Sequence, residues 1–361
     1  MTVALFDTAA PLRPLRSQFD AAIARVIDSG RFILGPEVSA FERELAAYCG
    51  TRHAIGLANG TEALTIALRA MGVGPGDDVV VPSFTFYASA EAIPPTGARP
   101  VFCDVDRLTG CVTAQTVKAA LTPATKAVIA VHLFGNVAPV AEIEALGVPV
   151  LEDAAQAAGS RAEAGRPGAL GRASTFSFFP SKNLACFGDG GAITTDDDAL
   201  ADHARTLRFH GSSDGVSYDH VGYNSRLDEL QAAILRVQLP HVDAWARGRR
   251  AAASHYERAG LGELVTLPVA TPGAQPAWHL YVVHHERPDE LAAALAAAGI
   301  GVRAYYRTPV HRQPAMAAFA PATALPVTDA LARTHLAIPM SAVLSAAQAA
   351  EVVAAVRAAV G

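Results

Sequence analysis

Several functions are excluded by what this chain lacks. Its four cysteines, Cys49, Cys103, Cys111 and Cys186, are scattered with no C-x-x-C pair, so neither a disulfide framework nor a zinc site is supported. No basic block stands ready to neutralise phosphates, and the net charge is −5, which argues against nucleic acid and anionic membranes as partners. The nearest candidate, Arg247 to Arg250, lies in an alanine-rich helical stretch and is expected on a solvated helix face. Apolar runs are broken by Gly, Pro or charge well short of the ~20 residues a spanning helix needs. The opening MTVALFDTAAPLRPLRSQFD has no apolar run behind a basic head, unlike a signal peptide. Free thiols, no export signal and no membrane segment together predict a cytoplasmic protein.

Motifs for other chemistries are also missing. Gly72, Gly74 and Gly76 follow a helix and precede a strand, the wrong context for dinucleotide binding. There is no G-K-[ST] phosphate loop and no HExxH, and no metal is expected.

What the chain does have is core. Of its 361 residues, 51% are hydrophobic, enough for a large folded unit. Short β-rich runs alternate with alanine-rich helical stretches: His53–Ala58, Asp78–Val81, Pro100–Asp104, Lys126–Leu133, Val148–Glu152, Ser174–Phe179 and Ala192–Thr195. Several are apolar throughout, as in strands covered on both faces. The alternation predicts an α/β fold with a mostly parallel central sheet flanked by helices. Helical pattern then runs from about Arg226 to Ala259 with a break at Pro240. A strand at Leu280–His284 and helices at Asp289–Ala298 and Ser345–Val360 predict a smaller C-terminal α+β domain, so the chain divides into 1–240 and 241–361.

Four local signals bear on chemistry. LANGTEAL (57–64) ends a strand and starts a helix at Gly60-Thr61, where free N–H groups and the helix dipole favour an anion; alone, it reads more readily as an ordinary N-cap. VLEDAAQ (150–156) sets two carboxylates at the end of a buried strand, where ligand crevices of open sheets lie. Adjacent strand residues face opposite ways, so one of Glu152 and Asp153 faces the crevice; a helix cap is an equal reading of the aspartate. STFSFFPSKNLACFGDGG (174–191) brings Lys182 directly off a buried strand and before a glycine-rich turn. Most lysines are surface residues, but a desolvated one has the depressed pKa that a Schiff-base nucleophile requires. GYNSRLDELQAAIL, from 222, reads by itself as a helix cap followed by an amphipathic helix.

In that order the four segments resemble the DegT/StrS-type family of pyridoxal-5′-phosphate (PLP)-dependent sugar aminotransferases. The resemblance runs almost end to end through SGRFILGPEVSAFE (29–42), VPSFTFYAS (81–89), PVFCDVD (100–106), VHLFGN (131–136) and PVH (309–311). It implies the type I PLP-dependent transferase fold and a homodimer with active sites at the subunit interface. Lys182 and Asp153 would be catalytic, Lys182 carrying PLP as a Schiff base and Asp153 pairing with the pyridine nitrogen. Gly60, Thr61 and Ser177 would cradle the phosphate, Gln156 and Phe86 contact the ring, and Asn224 reach the phosphate from the neighbouring subunit. Arg226, Tyr306 and His311 would line the nucleotide-sugar side. The implied reaction moves an amino group, from a donor such as L-glutamate, to a nucleotide-linked keto sugar, with GYNSRLDELQAAIL closer to enzymes acting at C3. A 4-keto sugar, a keto-inositol, or a non-catalytic PLP-binding sensor are the alternatives. Residues 305–307 read Tyr-Tyr-Arg where many relatives read His-Tyr-Pro, and Pro139 stands where an aspartate is common.

Overall fold

A computed structural model describes residues 3–321 and 323–360. The seven runs read from the sequence form a seven-stranded sheet: β1 (His53–Leu57), β2 (Asp78–Pro82), β3 (Arg99–Cys103), β4 (Thr125–Val131), β5 (Val150–Asp153), β6 (Ala173–Ser177) and β7 (Gly191–Thr195). Their spatial order is β1-β7-β6-β5-β4-β2-β3. The segment from β3 to β6 is parallel throughout. Its central residues, among them Val80, Ile129 and Leu151, are fully buried because helices cover both faces.

β7 departs from the parallel rule, pairing antiparallel with both β6 and β1. The physical reason lies in its connection. A parallel return needs a crossover, usually helical, whereas the segment from Phe178 to Gly190 forms no helix and folds straight back. The lysine loop is therefore an excursion between two neighbouring strands.

The helical stretch after Arg226 forms as read: Glu229–Gln238, a 3₁₀ turn at Leu239–His241 that contains Pro240, then Val242–Arg258. β8 (Tyr281–His284) pairs antiparallel with β9 (His335–Ile338), and helices Pro288–Ala297 and Ala346–Val360 pack against this small sheet around Val283, Leu295, Leu336 and Val352. β9 carries no sequence signal of its own, being four residues long and continuous with the helix before it. Val3 joins this second core and bridges to Ile300, so the start of the chain folds back onto its C-terminal layer. Among the described residues no helix is long and apolar enough to cross a membrane.

One sequence expectation fails here. Arg249, expected on a solvated face, is buried at 9% exposure, its guanidinium turned against the 277–279 segment. Charge alone does not give a residue's side of the helix; burial follows the helix's 3.6 period, which puts Arg249 on the same stripe as Ala246, Ala252, Ala253 and Tyr256.

Candidate active site

A cavity of about 680 Å³ opens at the carboxyl ends of the parallel strands, the position where open α/β sheets hold ligands. Strands β4, β5 and β6 contribute Val131, Asp153 and Ser177, and the small layer closes it with residues 303–308. A larger hollow of about 770 Å³ lies elsewhere, over 137–142 and 269–274, but no Lys, Arg or His lines it.

Lys182 projects into the smaller cavity. Its backbone N–H donates to the Phe179 carbonyl at 2.8 Å, closing a tight turn past Pro180. The chain contains only three lysines, and the other two, Lys118 and Lys126, are exposed. Burial pushes the Lys182 amine down to about 8, against the upward pull of the Asp153 charge.

The adjacent carboxylates of β5 separate as strand geometry requires. Asp153 faces the cavity, where it accepts from Ser89 Oγ at 2.7 Å and from the Ala155 N–H at 3.1 Å. Glu152 faces the other way and is completely buried. It accepts from His132 Nε2 at 2.8 Å and from the N–H groups of Gly168, Leu170 and Gly171. Every lone pair of Glu152 is thus engaged in structure, leaving Asp153 as the carboxylate available to a ligand. Truncating Glu152 to Ala strands His132 and three N–H groups. The expected cost is about 3–5 kcal/mol of stability in urea unfolding; a loss below about 1 kcal/mol would deny the pair a structural role.

An anion cradle stands beside the lysine. Asn59 caps the helix Gly60–Ala70, its side chain accepting from the Glu62 N–H at 2.8 Å. The Gly60 and Thr61 N–H groups have no such partner and lie at the positive helix end. A Cβ on Gly60 would sit 2.7 Å from Ser177 Cβ, and one on Gly191 would sit 2.3 Å from the Asn59 carbonyl oxygen. Only glycine lets these three segments close together.

On the far side, Gln156 accepts from the Phe134 N–H at 2.7 Å and donates to the Tyr306 hydroxyl at 3.2 Å. Tyr306 stacks on Phe134 with ring centroids 5.9 Å apart, and its hydroxyl pKa is raised by burial. Phe86, 54% exposed, lies over the cavity 6.3 Å from the Tyr306 ring.

Gly60, Thr61, Phe86, Asp153, Gln156, Ser177, Lys182 and Tyr306 therefore line one cavity. Three expected residues do not. Asn224 is exposed on a segment bridged to Phe209, Arg226 lies over the Phe209 ring, and His311 bonds Ser83 Oγ through Nδ1 at 2.5 Å. Within the GYNSRLDE segment, Asp228 caps its own helix and Glu229 accepts from the N–H groups of Gly35, Glu37 and Val38. Sequence reasoning missed Ser89, Gly191, His279 and Arg303. Ser89 and Gly191 lay inside quoted motifs, but nothing in their spacing marked them; His279 and Arg303 come from the small layer, where no motif stood out.

Comparison with known proteins accords with this geometry. The model of the DegT/DnrJ/EryC1/StrS aminotransferase family matches residues 14–357. The dTDP-3-amino-3,4,6-trideoxy-alpha-D-glucose transaminase of Streptomyces venezuelae is 46% identical, over 98% of this chain and 95% of its own. A protein of Geobacillus stearothermophilus called a pleiotropic regulatory protein is 42% identical, over 94% of each chain. The crystal structure of S. venezuelae DesV in complex with a ketimine intermediate superposes with a TM-score of 0.95 at 46% identity, covering 99% of this chain and 98% of that one. With its fold, its inward lysine and near-complete matches to these relatives, the chain belongs to the DegT/DnrJ/EryC1/StrS aminotransferase family.

Proposed function

We propose that the protein uses PLP to move an amino group from an amino-acid donor, L-glutamate, onto the 3-keto group of a nucleotide-activated sugar. The observation that carries this reading is the lone inward lysine, depressed to about 8, in a cavity that also holds the Asp153 carboxylate and the Gly60–Ser177 cradle. This donor set fits PLP. Unpaired N–H groups suit its phosphate, an anionic carboxylate suits its protonated ring nitrogen, and an amine suits its aldehyde. Amination at C3 is supported by the S. venezuelae relative, whose name places an amino group at that carbon.

Bound in the cavity, PLP supplies the electron sink for a carbanion at the carbon that carries the transferred nitrogen. The protein's own groups do the rest. The Asp153 charge favours the protonated ring. The Lys182 amine takes a proton from the donor carbon and, in the second half-reaction, delivers one to the sugar carbon. Gln156 and Tyr306, joined by their hydrogen bond, and Phe86 line the cavity.

We assign Asn224 and Arg226 to the cavity of a second copy, which makes the working unit a homodimer. Phe32, Ile33, Phe187 and Val221 are 48%, 49%, 51% and 85% exposed, and apolar groups of this size favour coverage by a partner. His311, with Tyr306, is assigned to the nucleotide-sugar side. Pro240 is our division between the larger and smaller parts, and we assign the protein to the cytoplasm, where its four free thiols persist.

The test is a panel of 3-keto and 4-keto nucleotide sugars and a keto-inositol offered to the pyridoxamine-loaded protein. Turnover of a 3-keto nucleotide sugar is expected; turnover of the inositol alone would overturn the substrate class. The name of the 42%-identical regulatory protein gives a second reading, a sensor that binds PLP without turnover. Such a protein would stay yellow with glutamate, whereas a transaminase bleaches.

Loading should also depend on pH. The neutral amine attacks the aldehyde, so the rate at which PLP colour develops should rise through pH 8 and level off above it. In the unfolded chain the amine keeps its proton up to about 10.5, so the unfolded state binds the extra proton between 8 and 10.5. Stability of the cofactor-free protein therefore rises with pH across that window.

A further inference from the structure

Three buried polar atoms without hydrogen-bond partners gather behind Lys182: Asn183 Oδ1, Arg249 Nε and His279 Nδ1. All three residues meet at one segment, 277–279. Asn183, next to the lysine, donates to the Ala277 carbonyl at 3.4 Å. Arg249 donates to the carbonyls of Trp278 and His279 at 3.1 and 3.4 Å. That guanidinium is buried with no carboxylate in contact among the described residues, an expensive arrangement unless the turn it braces matters.

The turn is strained. Trp278 has φ +40°, a conformation that a bulky residue adopts only when its surroundings impose it. Ala277 N–H is fixed to the Gly135 carbonyl and to Ser160 Oγ, both at 3.0 Å. A Cβ on Gly135 would lie 2.7 Å from the His279 nitrogen, so two backbones are in direct contact there. Positive φ is also found at Tyr306, which lines the same cavity, and at Phe134, which stacks on it. With Trp278 these are three of the five non-glycine residues with positive φ among the described residues, the others being Leu34 and His210.

What the turn delivers is the His279 ring. It lines the cavity with Lys182, is 4% exposed, and rests on Phe6 with centroids 6.0 Å apart. Burial, with Lys182 and Arg249 as neighbouring cations, holds its pKa well below the ordinary histidine value. The ring stays neutral and keeps a lone pair. We propose that His279, carried on the turn braced by Arg249, is a positioning residue for Lys182, its free Nδ1 accepting a hydrogen bond from the amine whenever that amine is not joined to the cofactor. The role rests on the PLP reading above and goes beyond it. A lysine that is released and recaptured in each cycle needs a resting partner, and an uncharged acceptor holds the amine in reach without raising its pKa as a second carboxylate would.

The experiment compares His279→Leu, which has no acceptor, with His279→Gln, which restores one. PLP uptake by the cofactor-free full-length protein is followed by absorbance across pH, with thermal melts to verify folding. His279→Leu should load about tenfold more slowly, an effect of about one hydrogen bond, with the pH midpoint of loading nearly unchanged. His279→Gln should return the rate to within about threefold of wild type. If His279→Leu melts early, a rescued His279→Gln against an unrescued His279→Ala reads the same contrast. A His279→Leu protein with wild-type rate, or a His279→Gln protein as slow as His279→Leu, would overturn the role. Wild-type protein that takes up no PLP would instead overturn the cofactor reading on which the role depends.

Discussion

Lys182→Arg should give a folded protein that has lost amino transfer, with turnover down by at least about 10⁴-fold, the upper range for removing a general acid–base group. Arginine retains the positive charge and most of the apolar stem, so the cavity wall stays filled. It cannot give up its proton in the working pH range, so it can neither attack a carbonyl nor shuttle hydrogen. No substitute amine is at hand, because Lys118 and Lys126 are exposed and outside the cavity lining. Glutamate bleaching and single-turnover transfer to the keto sugar measure the loss, and a melting temperature close to wild type would confine it to chemistry. Retained turnover in Lys182→Arg would remove the basis of the functional reading.

Asp153→Asn should be the second most damaging change, for a different reason. Asparagine fills the same space, so the wall around Ser89 is preserved while the negative charge disappears. A nearby opposite charge is worth about 1–3 pKa units to the group it faces, so a ring nitrogen beside asparagine loses its proton that much more readily. A drop of about 10- to 10³-fold in kcat/KM is expected, with PLP affinity changed far less because the phosphate cradle is untouched. Asp153→Glu tests placement, since its charge is kept but displaced beyond the strand end. An Asp153→Asn enzyme within about twofold of wild type would show that the charge has no part in transfer.

The sequence disclosed much of this arrangement. Seven apolar runs became seven strands, because fully buried strands leave continuous hydrophobic text. Period-two alternation gave Glu152 and Asp153 opposite faces, and the bonds of Glu152 to His132 and of Asp153 to Ser89 follow that split. Other features depend on distant parts of the chain. The reversed direction of β7 was hidden because a short run does not disclose which way its neighbour points. Arg249 was misread because its neighbours in sequence are charged while its neighbours in space are backbone carbonyls. His279 escaped notice because a turn at positive φ on a tryptophan has no counterpart in residue preferences. Asn224 and Arg226 fall outside this chain's own cavity, and the proposal that they serve a second copy rests on the family resemblance.

The antiparallel insertion of β7 has a mechanical consequence. Gly191 is paired with Leu57 on one side and Ser177 on the other, so the base of the lysine's arch and the foot of the anion cradle share a single rung of the sheet. The separation between the Lys182 loop and the Gly60–Ser177 contact is thus set by ladder spacing and not by loop slack. Register comes in whole-residue steps, and a one-residue slip would turn every side chain of that strand to the opposite face. The gauge is therefore either correct or absent, and no graded adjustment lies between.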